Sequence, residues 1–214
     1  MKNIYLNIYK SNLTNLKKAK KYIENNNVIG LPTETVYGLA GNAYSNKSVK
    51  KIFNLKKRPA FNPLIIHYKN LKDLKNDAIC SDRFIKLYNI LCPGPITFVL
   101  NKNPKSKISK IANAGKQTIA VRIPRHEVAK KLLKMLNVPL AAPSANISSK
   151  LSPTCAKDVV DEFGNKIKFI LNGGKCQIGL ESTIIDLTGK PNILRPGSIT
   201  AKKIQKILKK KNYD

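Results

Sequence analysis

Apolar positions along the chain switch repeatedly between helical spacing and short unbroken runs. Leu13, Leu16, Ala19 and Ile23 fall on one helical face, and the Asn run 25–27 predicts where that helix stops. Residues 28–31 (VIGL) form a short apolar run closed by Pro32, the pattern of a buried strand. A basic helix is predicted from a Ser48 cap to about Lys57, with Pro59 and Pro63 framing the loop that follows. Residues 63–67 (PLIIH) read as a second buried strand. Helical spacing returns at 71–76 and 82–91, followed by a Pro93-Gly94-Pro95 turn.

In the second half, 96–100 and 118–123 read as strands and 127–136 as an amphipathic helix. A short strand at 139–142 leads into a polar loop, 144–153. Thr154 is placed to cap a helix that ends at Gly164. Strands follow at 168–171, 183–187 and 192–194, and Thr200 caps a last basic helix to about residue 211. Short strands alternating with helices define an α/β protein. The pattern does not fix the strand order.

The 214 residues suit one large domain or two small ones, and the 42% hydrophobic content is enough for a core. No run of about 18 apolar residues exists, so no transmembrane helix is expected. The opening MKNIYLNIYKSN lacks a signal-peptide core, and a cytoplasmic protein is expected. Four scattered cysteines, no CxxC and only two histidines argue against a zinc site and for free thiols in a reducing compartment.

The formal charge of +28 has two readings: a surface for polyanions, or compositional drift toward Lys, Asn and Ile, whose codons are rich in A and T. Only five of the forty basic residues are Arg, at 58, 83, 122, 125 and 195. In a chain that so prefers Lys, each Arg is a candidate for fork geometry that Lys cannot supply.

Familiar nucleotide and hydrolase signatures are absent: there is no GxGxxG, GxSxG or HExxH. Residues 113–118 (NAGKQT) fail as a phosphate loop, because Lys110 fills the first Gly position and Gln117 follows the Lys. The informative segments are instead polar loops at predicted strand ends, where α/β folds hold ligands. They are 31–39 (LPTETVYGL), 56–64, the turn at 93–97, 121–124 (VRIP), 142–154 and 181–183 (EST). Hydroxyls, amides and arginines converging from such loops suit an anionic, hydroxyl-rich ligand such as a nucleotide.

Taken in order, these loops resemble those of the YrdC/Sua5 family, the threonylcarbamoyl-AMP synthases of tRNA modification, from about residue 12 to 205. The family's signature Lys, Arg, Ser and Asn match Lys56, Arg58, Ser144 and Asn146. The resemblance implies a single YrdC-like domain over 1–214, in the short form without an appended second domain. Its implied fold is a twisted mixed sheet flanked by helices around a basic concave pocket. The implied reaction joins L-threonine, bicarbonate and ATP into threonylcarbamoyl-adenylate and diphosphate, with Mg²⁺ accompanying ATP. Downstream tRNA threonylcarbamoyl-transferase proteins would then modify the adenosine beside the anticodon of ANN-reading tRNAs. Weak tRNA or RNA binding is a further expectation; membrane association is not.

By the same resemblance, Lys56, Arg58, Ser144 and Asn146 are catalytic, with Lys56 and Arg58 neutralising phosphates. Arg58, Asn62, Thr118, Ser144, Ser152 and Arg195 contact ATP, and Thr35, His67, Arg122, the Ala142 backbone and Ser182 contact threonine. No carboxylate cluster is dedicated to metal; Glu34 is the nearest candidate and reads more simply as a turn residue. No general base is evident. The chain departs from the pattern at Lys57 and Ser149, where Gly is usual, and at Cys92, where an aromatic is common. Two rival readings are a basic RNA-binding module and a carbamoyl-transfer enzyme.

Overall fold

The computed structural model describes residues 5–209. The stripe Leu16, Ala19 and Ile23 becomes the buried face of α1 (Leu13–Glu24), whose first turn is closed by Asn12 Oδ1 accepting from the Asn15 N–H at 2.9 Å. α2 (Asn46–Lys56) begins earlier than the sequence suggests. Its cap is Ser45, which accepts from the Ser48 N–H at 3.2 Å. Ser48 itself is buried within the helix against Gly41, where a Cβ would stand 2.3 Å from the Ser48 hydroxyl.

α3 (Leu71–Leu74) is shorter than predicted, whereas α4 (Asp82–Leu91) matches, and α5 (Glu127–Met135) is one residue short. α6 (Ala156–Phe163) is capped from Cys155, one residue later than predicted; Thr154 reaches Asp158 Oδ2 with its N–H at 2.8 Å and its hydroxyl at 3.1 Å. Gly164 ends this helix at φ 52°, a conformation glycine adopts freely. Thr200 accepts from the Lys203 N–H at 3.2 Å and opens α7 (Ala201–Lys209). The last two residues of the predicted helix, 210 and 211, lie outside the described residues.

Ten strands make one mixed sheet. In chain order they are β1 (Ile8–Lys10), β2 (Ile29–Leu31), β3 (Gly38–Asn42), β4 (Ile65–His67), β5 (Ile96–Asn101), β6 (Thr118–Arg122), β7 (Leu140–Ala141), β8 (Ile170–Asn172), β9 (Thr183–Asp186) and β10 (Asn192–Arg195). The spatial order is β1-β8-β2-β3-β7-β4-β6-β5-β9-β10. Four pairs are parallel (β1 with β8, β8 with β2, β4 with β6, β5 with β9) and the other five are antiparallel. β1 and β3 were not predicted, because neither carries a distinct apolar alternation.

The two faces of the sheet are covered unequally, and this creates the site. One face packs along most of the sheet's width against α2, α4, α6 and α7 through side chains such as Ile52, Phe84, Leu87, Val159 and Ile204. Among the described residues the other face meets only α1 and α5, whose Leu16, Ile23, Leu132 and Leu133 pack on Ile29, Leu31, Ala40, Leu140 and Leu171. Those residues belong to β2, β3, β7 and β8. On β5, β6 and β9 the larger core takes Ile96, Phe98, Leu100, Ile119, Val121 and Ile185, so the intervening residues turn to the uncovered face. Val99, Thr118, Ala120 and Ile184 there are only half-buried. Among the described residues, this half of the sheet face carries no packed helix.

Candidate active site

On β4 and β6 the uncovered face receives His67 and Arg122, which are register partners across a parallel pair. Both are buried, at 2% and 4% exposure, in a tight cleft of about 20 Å³ that Thr35, Ala142, Ser144 and Ser182 also line. All five predicted threonine contacts therefore share one cleft, with Ser144 and Arg195 on its wall. Thr118 lies on the same sheet face at the opposite end of β6 from Arg122, about 13 Å along the strand.

Arg122 is held from behind. Its Nη2 donates to Glu34 Oε1 at 2.8 Å, and Glu34 is itself buried at 1% exposure. The other Glu34 oxygen accepts from the Arg125 and His126 N–H groups at 3.1 and 3.4 Å. Burial alone would raise the Glu34 carboxyl; the Arg122 charge and these hydrogen bonds outweigh it and hold the group below the usual range. Glu34 is thus the fixed counter-ion of Arg122, a role that its place in a turn did not suggest. Arg122 Nε remains buried without a partner, as do both nitrogens of His67. Burial first, then the Arg122 charge, pushes His67 well below its ordinary range, so its ring is neutral.

Thr35 contributes a hydroxyl in contact with Thr33 Oγ1 at 2.9 Å, while Thr33 Oγ1 also donates to Val36 O at 2.6 Å. Since the Thr33 proton serves Val36, Thr35 is the donor of the pair and keeps lone pairs for a ligand. Ser182 sits between Thr97, at 2.7 Å from its hydroxyl, and Arg195 Nη2 at 3.1 Å.

The signature residues form a clamp at the end of α2. Lys56 is 1% exposed, and its ammonium donates to Ser144 O at 2.5 Å, Asn146 O at 2.6 Å and Asn146 Oδ1 at 3.3 Å. Burial and the neighbouring Arg58 push Lys56 down to about 7, against the opposing pull of Glu162. Asn146 Nδ2 donates to Ile147 O and Lys150 O at 3.0 and 2.7 Å. Lys56 and Asn146 therefore brace the loop that presents Ser144, and the geometry gives their side chains no open face toward the cleft. Arg58 folds over its own loop, donating to Asn62 O, Asn62 Oδ1 and Pro63 O at 2.8–2.9 Å. Burial lowers its pKa.

Arg195 closes the far wall. Nε and Nη2 donate to Ser182 O at 3.1 and 2.9 Å, Nη1 pairs with Glu181, and Ser152 Oγ donates to the same carboxylate at 2.9 Å. Gly197 allows this approach: a Cβ there would stand 2.5 Å from Thr183 N and 2.7 Å from Glu181 O. Burial, then Arg122 and Arg58, pushes Arg195 down to about 10. That repulsion marks three of the five arginines as neighbours, answered by two carboxylates.

Sequence reasoning missed Tyr37, Glu181 and the role of Glu34. Tyr37 is fully buried and joins three loops: its N–H donates to Pro153 O at 2.8 Å, Ala145 N–H donates to its carbonyl at 2.7 Å, and its hydroxyl donates to Gly174 O at 2.8 Å. Burial raises its phenol to about 12. Among the described residues no group of three or more His, Cys, Asp or Glu could hold a metal ion. The carboxylates nearest the cleft, Glu34 and Glu181, are both engaged by arginine. A roomier hollow of about 420 Å³ lies between α1, α2 and α6, rimmed by Lys51, Lys57, Lys166 and Lys168, and none of the candidate residues lines it. No helix among the described residues is long and apolar enough to cross a membrane.

A half-covered α/β sheet with an arginine-bearing, hydroxyl-lined cleft at its strand ends has the chemistry to take a small anionic ligand. A family model described as "Telomere recombination" matches residues 21–197, and the chain belongs to this Sua5/YciO/YrdC family. It is 44% identical over 196 residues to the threonylcarbamoyl-AMP synthase of Pyrococcus abyssi, covering 90% of this chain and 57% of that protein. The Bacillus subtilis threonylcarbamoyl-AMP synthase is 37% identical over 195 residues, covering 90% and 56%. The crystal structure of P. abyssi Sua5 complexed with L-threonine superposes with a TM-score of 0.88 at 41% identity, over 94% of this chain and 59% of that one. The chain thus spans a little over half the length of these relatives, and the mixed sheet flanked by helices is the arrangement they share.

Proposed function

We propose that this chain is an L-threonylcarbamoyladenylate synthase, joining L-threonine, bicarbonate and ATP into threonylcarbamoyl-AMP and diphosphate. The observation that carries the reading is the set of unmatched polar atoms in the cleft. Arg122 Nε and both His67 nitrogens are buried without partners, a cost a protein retains where a ligand supplies them. Arg122 asks for an anion. A neutral His67 asks for one acceptor and one donor, and Thr35 for a donor. An amino acid with a side-chain hydroxyl brings a carboxylate, an ammonium and an O–H, which answers all three. The names of the P. abyssi and B. subtilis relatives, and the threonine complex of the former, support the same ligand.

In this reading threonine's ammonium loses a proton to solvent, and the free amine attacks the carbon of bicarbonate, expelling the hydroxyl with the amine's proton as water, or adds to carbon dioxide and releases that proton, to give a carbamate. A carbamate oxygen then attacks the α-phosphorus of ATP; the bond to the bridging β-phosphate oxygen breaks, and diphosphate leaves. The carbamate is its own nucleophile, so the protein's task is positioning and neutralising charge. Arg58 and Arg195 are the cations nearest the reacting phosphates, Ser144 and Ser152 offer hydroxyls, and Asn62 and Thr118 complete the nucleotide's surroundings. Lys56 and Asn146 hold the Ser144 loop. Mg²⁺ arrives as part of the MgATP substrate, with phosphate and water as its main ligands. The product passes to tRNA threonylcarbamoyl-transferase proteins for transfer to the adenosine beside the anticodon.

The experiment is diphosphate release from MgATP by the purified chain, omitting threonine or bicarbonate in turn, with rapid mass detection of the adenylate. Release that requires both, with the adenylate present, is expected. Release independent of threonine overturns the reading. ATP binding without release would favour a different acceptor.

A further inference from the structure

The cleft holds one carboxylate that the proposed chemistry leaves unused. Glu181 precedes β9, and its two oxygens face different elements: Oε1 accepts from Ser152 Oγ, and Oε2 pairs with Arg195 Nη1. It ties the loop 144–153 to the end of β10. Glu34, the other carboxylate, is a permanent counter-ion, 1% exposed and further pinned by two backbone N–H groups. Glu181 differs on both counts, for its side chain is 31% exposed and its carboxylate oxygens meet only side chains.

Arg195 does not need Glu181 to stay in place. Its Nε and Nη2 are anchored to Ser182 O, and Nη2 also reaches Ser182 Oγ. Removing the carboxylate frees Nη1 on an already oriented fork. With the bridge closed the cleft has only about 20 Å³ of free volume, far below the roughly 300–1,000 Å³ usual for ligand sites. A nucleoside triphosphate, several times the size of an amino acid, needs the bridge open.

We propose that Glu181 is an internal anion standing where a nucleotide phosphate binds, displaced from Ser152 and Arg195 by that phosphate, and so sets the site's affinity for nucleotide. The proposal rests on the ATP reading above. A phosphate oxygen takes the Ser152 hydroxyl and Arg195 Nη1, and the repelled carboxylate turns to solvent. Because the bridge must be broken on each binding event, it weakens polyphosphate binding and favours release of the departing diphosphate.

The test is equilibrium binding of ATP, inorganic tripolyphosphate and threonine to the full chain and to Glu181→Gln, which keeps the shape and removes the charge. Both polyphosphates should bind the variant roughly 5- to 50-fold more tightly, with threonine affinity unchanged within about twofold. Glu181→Asp, too short to span both partners, should fall between, and carries the test if the Gln variant does not fold. Polyphosphate affinity that is equal or weaker in the variants overturns the exchange and makes Glu181 a structural brace. ATP binding wild type and variant equally leaves the ATP reading standing while the exchange falls. Tighter tripolyphosphate binding with no ATP binding by either protein keeps the exchange and removes the ATP reading.

Discussion

At the scale of single residues, the geometry separates charge from fork. Arg122 spends Nη2 on Glu34 and leaves Nε without a partner, two donors held at fixed geometry on one planar fork that a lysine ammonium does not reproduce. Arg122→Lys should raise the threonine KM roughly 10- to 100-fold, the worth of one charge-assisted hydrogen bond, with a smaller change in kcat; steady-state diphosphate release against threonine concentration checks it. His67 makes a different prediction. Its folded-state pKa lies well below the unfolded value, so below about pH 6.5 the unfolded chain binds a proton that the folded chain refuses. The His67 contribution to stability should therefore be flat above pH 6.5 and fall as pH drops, by up to about 1.4 kcal/mol per pH unit. His126 is lowered too, chiefly by burial, so His67→Asn should remove part of the slope in denaturant melts at pH 7.5, 6.0 and 5.0. Backbone strain completes this scale. Lys57 and Ser149, where the sequence departs from the family's usual Gly, have φ of 49° and 74°. Left-handed backbone costs a side chain about 1–2 kcal/mol, partly offset by glycine's greater unfolded-state entropy. Lys57→Gly and Ser149→Gly should each raise the melting temperature by about 2–4 °C, measured by calorimetry.

At the scale of elements, α2 and the 144–153 loop act together because one ammonium joins them. Replacing Lys56 by Met keeps the length of the chain and leaves the Ser144 and Asn146 carbonyls without their donor. The expected cost is about 1–3 kcal/mol, with faster proteolysis near Lys150 and Leu151 and a loss of turnover that excess ATP does not restore. Limited digestion followed by mass mapping checks the loop; unchanged cleavage would leave Lys56 without a bracing role. How far these elements were legible follows from what fixes them. Helices with a strong apolar stripe, such as α1 and α4, were read nearly to the residue. Caps were misassigned where two hydroxyls compete, as Ser45 with Ser48, since only tertiary packing decides that Ser48 is buried against Gly41. β3 was invisible: Gly38-Leu39-Ala40-Gly41-Asn42 has little strand propensity, and it is a strand because β2 and β7 flank it. The site's strand-end loops were recognisable one by one, whereas their closure through Tyr37 and Glu181 depends on a strand order that no local pattern encodes.

At the scale of the whole molecule, the charge divides into a cluster and a coat. Arg122 and Arg195 line one cleft, and burial, then the charges of Arg122 and Arg58, lowers Arg195, while most of the lysines behind the +28 charge stand on the surface. The coat attracts polyanions without regard to the cleft, and counterion release makes that attraction fall steeply with salt. The cluster acts at short range inside a partly dry site, where salt screens little. One substitution should separate them. Arg58→Ala should lower diphosphate release by about 10²–10³-fold through lost phosphate stabilisation, while its RNA retention stays within about twofold of wild type, with a log–log salt slope less than about one unit shallower. Turnover assayed beside filter binding at 50 and 200 mM salt reads both quantities from one preparation. If RNA binding collapsed together with turnover, the cleft itself would be the nucleic-acid site, and the basic-module reading would displace the synthase. Loss of turnover alone would leave the lysine coat as a separate, salt-sensitive property of the surface, one that composition is sufficient to produce.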